Sequence, residues 1–328
     1  VDDYIFGYFS YDLKNDIEDL SSQNFDGLNF PELYFFQPKK IFFFRDNELE
    51  VQYLKEYEHE IESDLREIGL SEKYNKEEIL IDQDITTNAQ ENSRGDVKIH
   101  KRITKKQYLK HLETILKHIH RGDIYEVNFC QEFYANDAFI NPLLVYKHLN
   151  EISSPPFATF FKLKDNYLLS ASPERFVRRI NNKIISQPIK GTAKRLQKKK
   201  LDKKLANQLE SDQKERSENI MIVDLVRNDL SKTAIKGSVN VEELCKVYSF
   251  KQVHQLISTV VSEVSHSTNS IDVIKSIFPM GSMTGAPKIS AMKIIEKEES
   301  AKRGLYSGAV GYFSPNDVFD FIVVVRSS

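Results

Sequence analysis

Between residues 158 and 187 four short apolar stretches (158–163, 167–172, 176–180 and 183–187) follow one another with only short turns between them. Turns that short join antiparallel neighbours and leave no room for the long crossover that a parallel pair needs. Elsewhere hairpin-like strands are interspersed with helical stretches. This pattern favours an α+β fold with antiparallel sheets over a parallel, doubly wound one. The sequence carries no internal repeat.

The remaining elements follow from periodicity and punctuation. Residues 1–80 mix aromatic strand-like stretches (33–36, 41–44, 49–53) with a charged helical stretch from about 56 to 68. Residues 82–98, DQDITTNAQENSRGDVK, are polar and lack apolar periodicity, which predicts a loop or linker. Thr104 reads as a helix N-cap, because Tyr108, His111, Leu112, Ile115, Leu116 and Ile119 recur behind it at helical spacing, and Gly122-Asp123 ends that helix. Residues 125–133 alternate as a strand would. Helices are predicted at 142–149, about 200–230, 270–278 and 287–299, and strands at 308–313 and 318–325. Apolar segments at both ends (4–9 and 321–325) create the expectation of a fragment or of missing termini.

Bulk properties exclude several classes. Lys plus Arg number 46 and Asp plus Glu 48, a net charge of −2, so the basic excess usual in nucleic-acid binders is missing. The longest apolar runs, such as 41–44 and 321–325, are far too short to span a bilayer. The two cysteines, Cys130 and Cys245, make neither a disulfide framework nor a zinc site, read as buried small hydrophobes, and fit a reducing cytoplasm. The basic run 194–204 reads as a solvated face.

Five segments could carry chemistry, and each has a plainer alternative. Lys190 sits between a strand and a glycine turn in QPIKGT (187–192). Buried, its amine would be a nucleophile; otherwise it is a surface turn lysine. Gly191 would let the backbone approach a ligand closely. Glu174, in SASPE (170–174), is either a partly buried general acid or a solvated turn residue. Glu215 and Glu218 share a helix face with Ile222 and Leu225, and either serve a hard cation such as Mg²⁺ or favour the positive end of the helix. The segment PMGSMTGAPK (279–288) is either a turn or the approach to a helix N-terminus that suits an anion. It is not a P-loop, since no Gly-Lys-Ser/Thr follows. His254, flanked by apolar residues, is either a functional group or a satisfied core histidine.

These segments, in this order, resemble the chorismate-binding family, which includes anthranilate synthase, aminodeoxychorismate synthase, isochorismate synthase and salicylate synthase large chains. The similar strings are GDIYEVNFCQEF (122–133), SASPERF (170–176), PIKGTAKR (188–195), ENIMIVDLVRNDLS (218–231), FPMGSMTGAPK (278–288) and RGLYSGAVGYF (303–313). The match covers roughly residues 100–326, and GYFSYDL (7–13) is similar to a piece of the family's N-terminal region.

The resemblance implies an anthranilate synthase component I-like fold: two large antiparallel β-sheets packed face to face, helices outside, and a substrate cleft holding one Mg²⁺. Residues 1–98 would be a partial N-terminal region. Residues 99–328 would be a chorismate-binding catalytic core, incomplete at its C-terminal end, since the family's second magnesium glutamate and a carboxylate-binding lysine follow the segment that ends at Arg326. By the same resemblance Glu218 is a magnesium ligand with Glu215 beside it, and Glu174 protonates the departing 4-hydroxyl. Gly191, Thr192, Thr284, Gly285, Tyr306 and Arg326 contact chorismate, and His254 lies beside the ring. Lys190 implies the aminodeoxychorismate synthase branch, because anthranilate synthases usually carry Ala there. In that branch the lysine attacks C2, ammonia then adds at C4, and a glutamine amidotransferase subunit supplies the ammonia. At Glu126 the amidating members usually have Gln and the water-adding members a Lys base, so this chain departs from both. Anthranilate synthase component I and a non-catalytic chorismate-binding or amidotransferase-docking subunit are the alternatives.

Overall fold

The structure is a computed structural model that describes residues 3–72, 97–315 and 317–327. Of the expected linker over 82–98, only Val97 and Lys98 fall among the described residues, and neither is in a helix or strand.

A nine-stranded sheet organises the chain. Its hydrogen-bonded order runs Ile189–Lys194, Val253–Glu263, Lys183–Gln187, Arg175–Ile180, Val318–Val323, Ala309–Ser314, Ile5–Phe9 and Leu33–Phe36, with Asn240–Ser249 also paired to Val253–Glu263. Every strand pair in it is antiparallel. The expected α+β class with antiparallel sheets is therefore the one observed. The N-terminal strand Ile5–Phe9 lies beside Ala309–Ser314, so both ends of the chain meet in one sheet.

The two faces of the sheet are built by strand alternation. Along the last strand Phe319, Phe321 and Val323 face the helices, where they join Val177, Ile184 and Val260 against Ile222, Val226 and Leu230. Between them, Ile322 joins Tyr8 and Val310 on the opposite face, packed against Phe161 and Leu168. Those last two belong to the hairpin of Phe157–Leu163 and Asn166–Ser172, which pairs with itself rather than entering the large sheet. Among the described residues the second layer is this short hairpin, continued by a bridge from Ser170 to Ser327.

Helix boundaries follow local chemistry. Thr104 caps Lys105–Arg121 through a reciprocal capping box with Gln107, and Gly122 closes it at φ 83°. The helix expected over 200–230 is two, Lys199–Ser211 and Gln213–Ser231, because Asp212 stops the first and its side chain accepts from Glu215 N to cap the second. The strand expected over 125–133 shrinks to Glu126–Val127 and Phe133–Tyr134. Between them the backbone has other partners: Asn128 N donates to Thr284 O and Cys130 N to the Glu299 carboxylate. Asn240–Ser249 shows no clean alternation in sequence because its register against Val253–Glu263 shifts twice.

The loop from Phe278 to Pro287 is tied to the helical layer by charge. Lys288 is buried, pairs with buried Asp229 of Gln213–Ser231, and donates to Ile277 O at 2.9 Å. Burial pushes the Lys288 ammonium down while Asp229 pulls it back up. Removing one member of such a pair strands the other in an apolar interior. Asp229→Ala is expected to cost about 3 kcal/mol of unfolding free energy in urea titration; a loss below about 1 kcal/mol would show that the pair does not hold the loop.

Candidate functional site

The site is built where the strand Ile189–Lys194 leaves regular pairing. Ile189 lies opposite Ile257 and Thr192 opposite Gln255, so three steps along one strand match two along its partner. The extra residue makes a bulge at Lys190-Gly191. Gly191 takes φ +92°, and a Cβ there would lie 3.0 Å from Leu256 and 3.1 Å from a Glu215 carboxylate oxygen. The positive φ favours glycine, and any Cβ would have to push these two side chains aside. The carbonyl of Lys190 is satisfied by Asn219, whose amide also donates to Leu256 O, each at 3.2 Å. Asn219 is buried on Gln213–Ser231, four residues beyond Glu215. One helix therefore brings both a carboxylate and the amide that pins the bulge.

From the bulge, Lys190 Nζ reaches Glu126, 2.6 Å from Oε1. Glu126 stands on the short strand Glu126–Val127, paired with Gly285–Ala286. Gly285 makes that pairing feasible: at φ +153°, a Cβ would lie 2.2 Å from the Glu126 carbonyl oxygen. The second carboxylate oxygen of Glu126 is buried and has no hydrogen-bond partner among the described residues.

Glu174 lies on the loop before Arg175–Ile180 and is buried. The space beside it is walled by Phe176, Val226, Leu230, Ile277 and Met280. This burial pushes its carboxyl up from 4.5 to about 7, against the opposing pull of the Ser282 hydroxyl, the Ile189 N–H and the Lys190 charge. Ser282 donates to Oε1 at 2.6 Å. A carboxyl group that keeps its proton near neutrality is equipped to act as a general acid.

The structure thus gathers Lys190, Gly191, Glu215, Glu174 and Glu126. Thr192 joins them through Gln255, whose amide donates to its hydroxyl at 3.5 Å. Glu218, one turn beyond Glu215, is 38 % exposed, with Lys214 at 3.6 Å. Thr284 is buried, and its hydroxyl is spent on the Met280 and Gly281 carbonyls, so its contribution is to shape the loop. Tyr306 is 37 % exposed, and burial among Cys130, Arg303 and Glu299 pushes its hydroxyl up to about 12. Arg326 is exposed, and its carbonyl accepts from Ala171 N.

His254 does not join them. Strand alternation turns it toward the helices, where Nε2 lies 3.0 Å from Asp202 and Nδ1 2.7 Å from the Ser249 hydroxyl. Both ring nitrogens are occupied, and the residue is a satisfied core histidine. Its neighbour Gln255 takes the Thr192 side, with a carbonyl oxygen that is buried and has no partner among the described residues. Sequence reasoning missed Gln255, Asn219 and Arg303. Arg303 is buried against Glu299 and donates to Met283 O and Asn128 O, each at 2.7 Å, which clamps the 278–287 loop to the Glu126 segment. The alternation along 253–263 was the available signal for Gln255; the other two lie inside the strings 218–231 and 303–313, but no periodicity there singles them out.

The whole chain, residues 1–328, matches the family model described as chorismate binding enzyme. The chain belongs to the chorismate-binding enzyme family. It is 38 % identical over 225 residues to aminodeoxychorismate synthase component 1 of Escherichia coli (strain K12), an overlap of 69 % of this chain and 49 % of that protein. With the protein of the same name from Bacillus subtilis (strain 168) it shares 30 % identity over 321 residues, 98 % of this chain and 67 % of the relative. The chain spans about half the length of several curated relatives it matches. Anthranilate synthase component I from Streptococcus pneumoniae TIGR4 superimposes with a TM-score of 0.81 at 26 % identity, covering 98 % of this chain and 71 % of that one, so the fold is of the anthranilate synthase component I kind.

The raised carboxyl of Glu174 has a stability consequence. In the unfolded chain it titrates near 4.5, and in the fold near 7. Between these values the folded protein holds a proton that the unfolded chain has released, so stability falls as pH rises through this window and levels off above it. Glu174→Gln removes that loss. Relative to wild type, the variant should gain stability progressively from pH 4.5 to 7, by up to roughly 3 kcal/mol. Chemical denaturation across that range checks it, and a difference independent of pH would contradict the assigned burial.

Proposed function

We propose that this chain is the chorismate-binding part of an aminodeoxychorismate synthase large subunit, which converts chorismate and ammonia to 4-amino-4-deoxychorismate for para-aminobenzoate and folate biosynthesis. The observation that carries this reading is Lys190, held on a glycine bulge next to Glu126 and within the field of a protonatable Glu174. In this reading residues 99–328 form the catalytic core and residues 1–98 part of an N-terminal region. A cytoplasmic setting belongs to the same reading. The names of the Escherichia coli and Bacillus subtilis relatives agree with it.

Glu174 protonates the 4-hydroxyl as it leaves. Lys190 bonds to C2 while the ring double bonds shift. Ammonia then bonds to C4, the lysine departs, and the enolpyruvyl group is retained. Gly191 and Thr192, with Gly285 on the facing loop, shape the wall beside the ring. Tyr306 and Arg326 are proposed to meet the substrate, and Thr284 to shape the loop that carries Gly285.

Glu215 and Glu218 would hold Mg²⁺. Two carboxylates one turn apart supply oxygen donors of the kind a hard cation prefers. Among the described residues no group of three or more His, Cys, Asp or Glu side chains gathers for a metal, so substrate and water oxygens would complete the set. When bound, the ion supplies positive charge for the chorismate carboxylate.

The ammonia source in this reading is a glutamine amidotransferase partner. Glutamine hydrolysis of the usual kind needs a reactive thiolate. Burial pushes the Cys130 thiol up to about 11 and raises that of Cys245 as well, away from such reactivity.

Chorismate supplied without ammonia should leave a covalent adduct on the peptide that contains Lys190 in the full-length protein, and Lys190→Ala should lose it. Peptide mass spectrometry reads the outcome. An adduct that persists in the variant, or that maps to another residue, would rule the nucleophile out.

A further inference from the structure

The nucleophile assigned to Lys190 must lose a proton before it can attack, and nothing in that reading says where the proton goes. Glu126 answers it. We infer that Glu126 is the base that takes the proton from Lys190, a catalytic role resting on the reading of Lys190 as nucleophile.

Three observations carry the inference. The first is reach: Glu126 Oε1 is 2.6 Å from Lys190 Nζ, a distance at which a proton passes directly. The second is the other carboxylate oxygen, which is buried and has no hydrogen-bond partner among the described residues. One oxygen meets the lysine, and the other is left to take a proton or an incoming N–H. The third is positioning. Glu126 lies in a two-residue ribbon with Gly285–Ala286, and Ile124, on the same segment, is fully buried with Ile115, Ala291 and Ile294. The carboxylate therefore comes from a different structural layer than the lysine, and both are anchored.

The other charged groups nearby do not fill the role. Glu174 already holds a proton near neutral pH, because burial raises it. Glu215 lies against Gly191 from the helix side and is assigned to the cation. On the strand Val253–Glu263 the facing side chain is the neutral Gln255. At the 278–287 loop Lys288 is engaged by Asp229, and Arg303 by Glu299.

The step balances. The proton leaves Lys190 Nζ for the Glu126 carboxylate, giving a neutral amine and a neutral carboxyl group. The amine nitrogen bonds to C2, the ring double bonds shift, and the C4–O bond breaks, with the oxygen leaving as water on the proton of Glu174. Ammonia next bonds to C4, and the C2–N electron pair returns to Lys190 as a neutral amine. The surplus proton on the new C4 ammonium passes to the Glu174 carboxylate. Chorismate and ammonia have become the amino product and water, and the proton on Glu126 is free to return to Lys190.

The test is the rate of adduct formation on the Lys190 peptide, without ammonia, across pH 6 to 10 in the full-length protein. Glu126→Gln keeps the shape and cannot take the proton. Its adduct rate near neutral pH should fall by roughly a hundredfold, and its profile should move to higher pH. Glu126→Asp, a second variant in case the first does not fold, draws the acceptor back by one methylene and should show a smaller loss with the same direction of displacement. A wild-type or faster rate, or a pH profile unchanged or moved to lower pH as when the carboxylate merely holds the ammonium, in whichever variant folds would overturn the inference while leaving Lys190 as nucleophile intact. Absence of any adduct on Lys190 in the wild type would instead overturn the underlying reading, and the inference with it.

Discussion

The site depends on one irregularity in an otherwise regular sheet. Where Ile189–Lys194 meets Val253–Glu263, the chain takes one residue more than its partner, and Gly191 absorbs the excess at positive φ. A regular strand would send Lys190 and Thr192 to the same face and Gly191 to the other, in fixed alternation. The bulge breaks that rule and re-aims the lysine toward Glu126. Its cost, a backbone carbonyl without a ladder partner, is met by Asn219. Glu215 can then close on the strand because Gly191 has no side chain. Lysine, carboxylate and helix are thus fixed relative to one another by backbone geometry.

Electrostatics then separates the three glutamates nearest the lysine by environment. Burial pushes the Glu174 carboxyl up to about 7. Glu126 is in contact with a cation. Glu215 lies in the first turn of a helix, where the N-terminal dipole favours negative charge. The proposed acid, base and metal ligand are the same residue type, set in different surroundings: burial, an opposite charge and a helix end. The buried clamps that hold these surroundings, Lys288 with Asp229 and Arg303 with Glu299, lie outside the reacting constellation and fix the loop on which Ser282 and Gly285 stand.

Much of this was legible in the sequence, for physical reasons. The short turns at 163–167 and 180–183 join antiparallel neighbours as expected, whereas the one at 172–176 passes the chain from the hairpin to the large sheet, so the strands on its two sides do not pair. The capping box at Thr104 and the glycine after Arg121 bounded their helix as expected. Lys190, Glu174, Gly191 and Glu215 were named from local patterns and the ordered strings around them, and the fold brings them together. His254 shows the limit: one residue along a strand reverses the face, and only the register with Ala193 distinguishes it from Gln255. Asn219 acts through contacts 29 and 37 residues away in sequence and Arg303 through contacts 20 and 175 residues away, which no local periodicity encodes. The strand Asn240–Ser249 was hidden because two register shifts erase the alternation that announces a strand.

In the proposed function a lysine on a glycine bulge directs chorismate to amination at C4. The product made from chorismate and ammonium by the full-length protein, resolved by mass spectrometry and proton NMR, decides whether it does. The expected product is 4-amino-4-deoxychorismate, with its enolpyruvyl group retained. Anthranilate with release of pyruvate would refute the assignment.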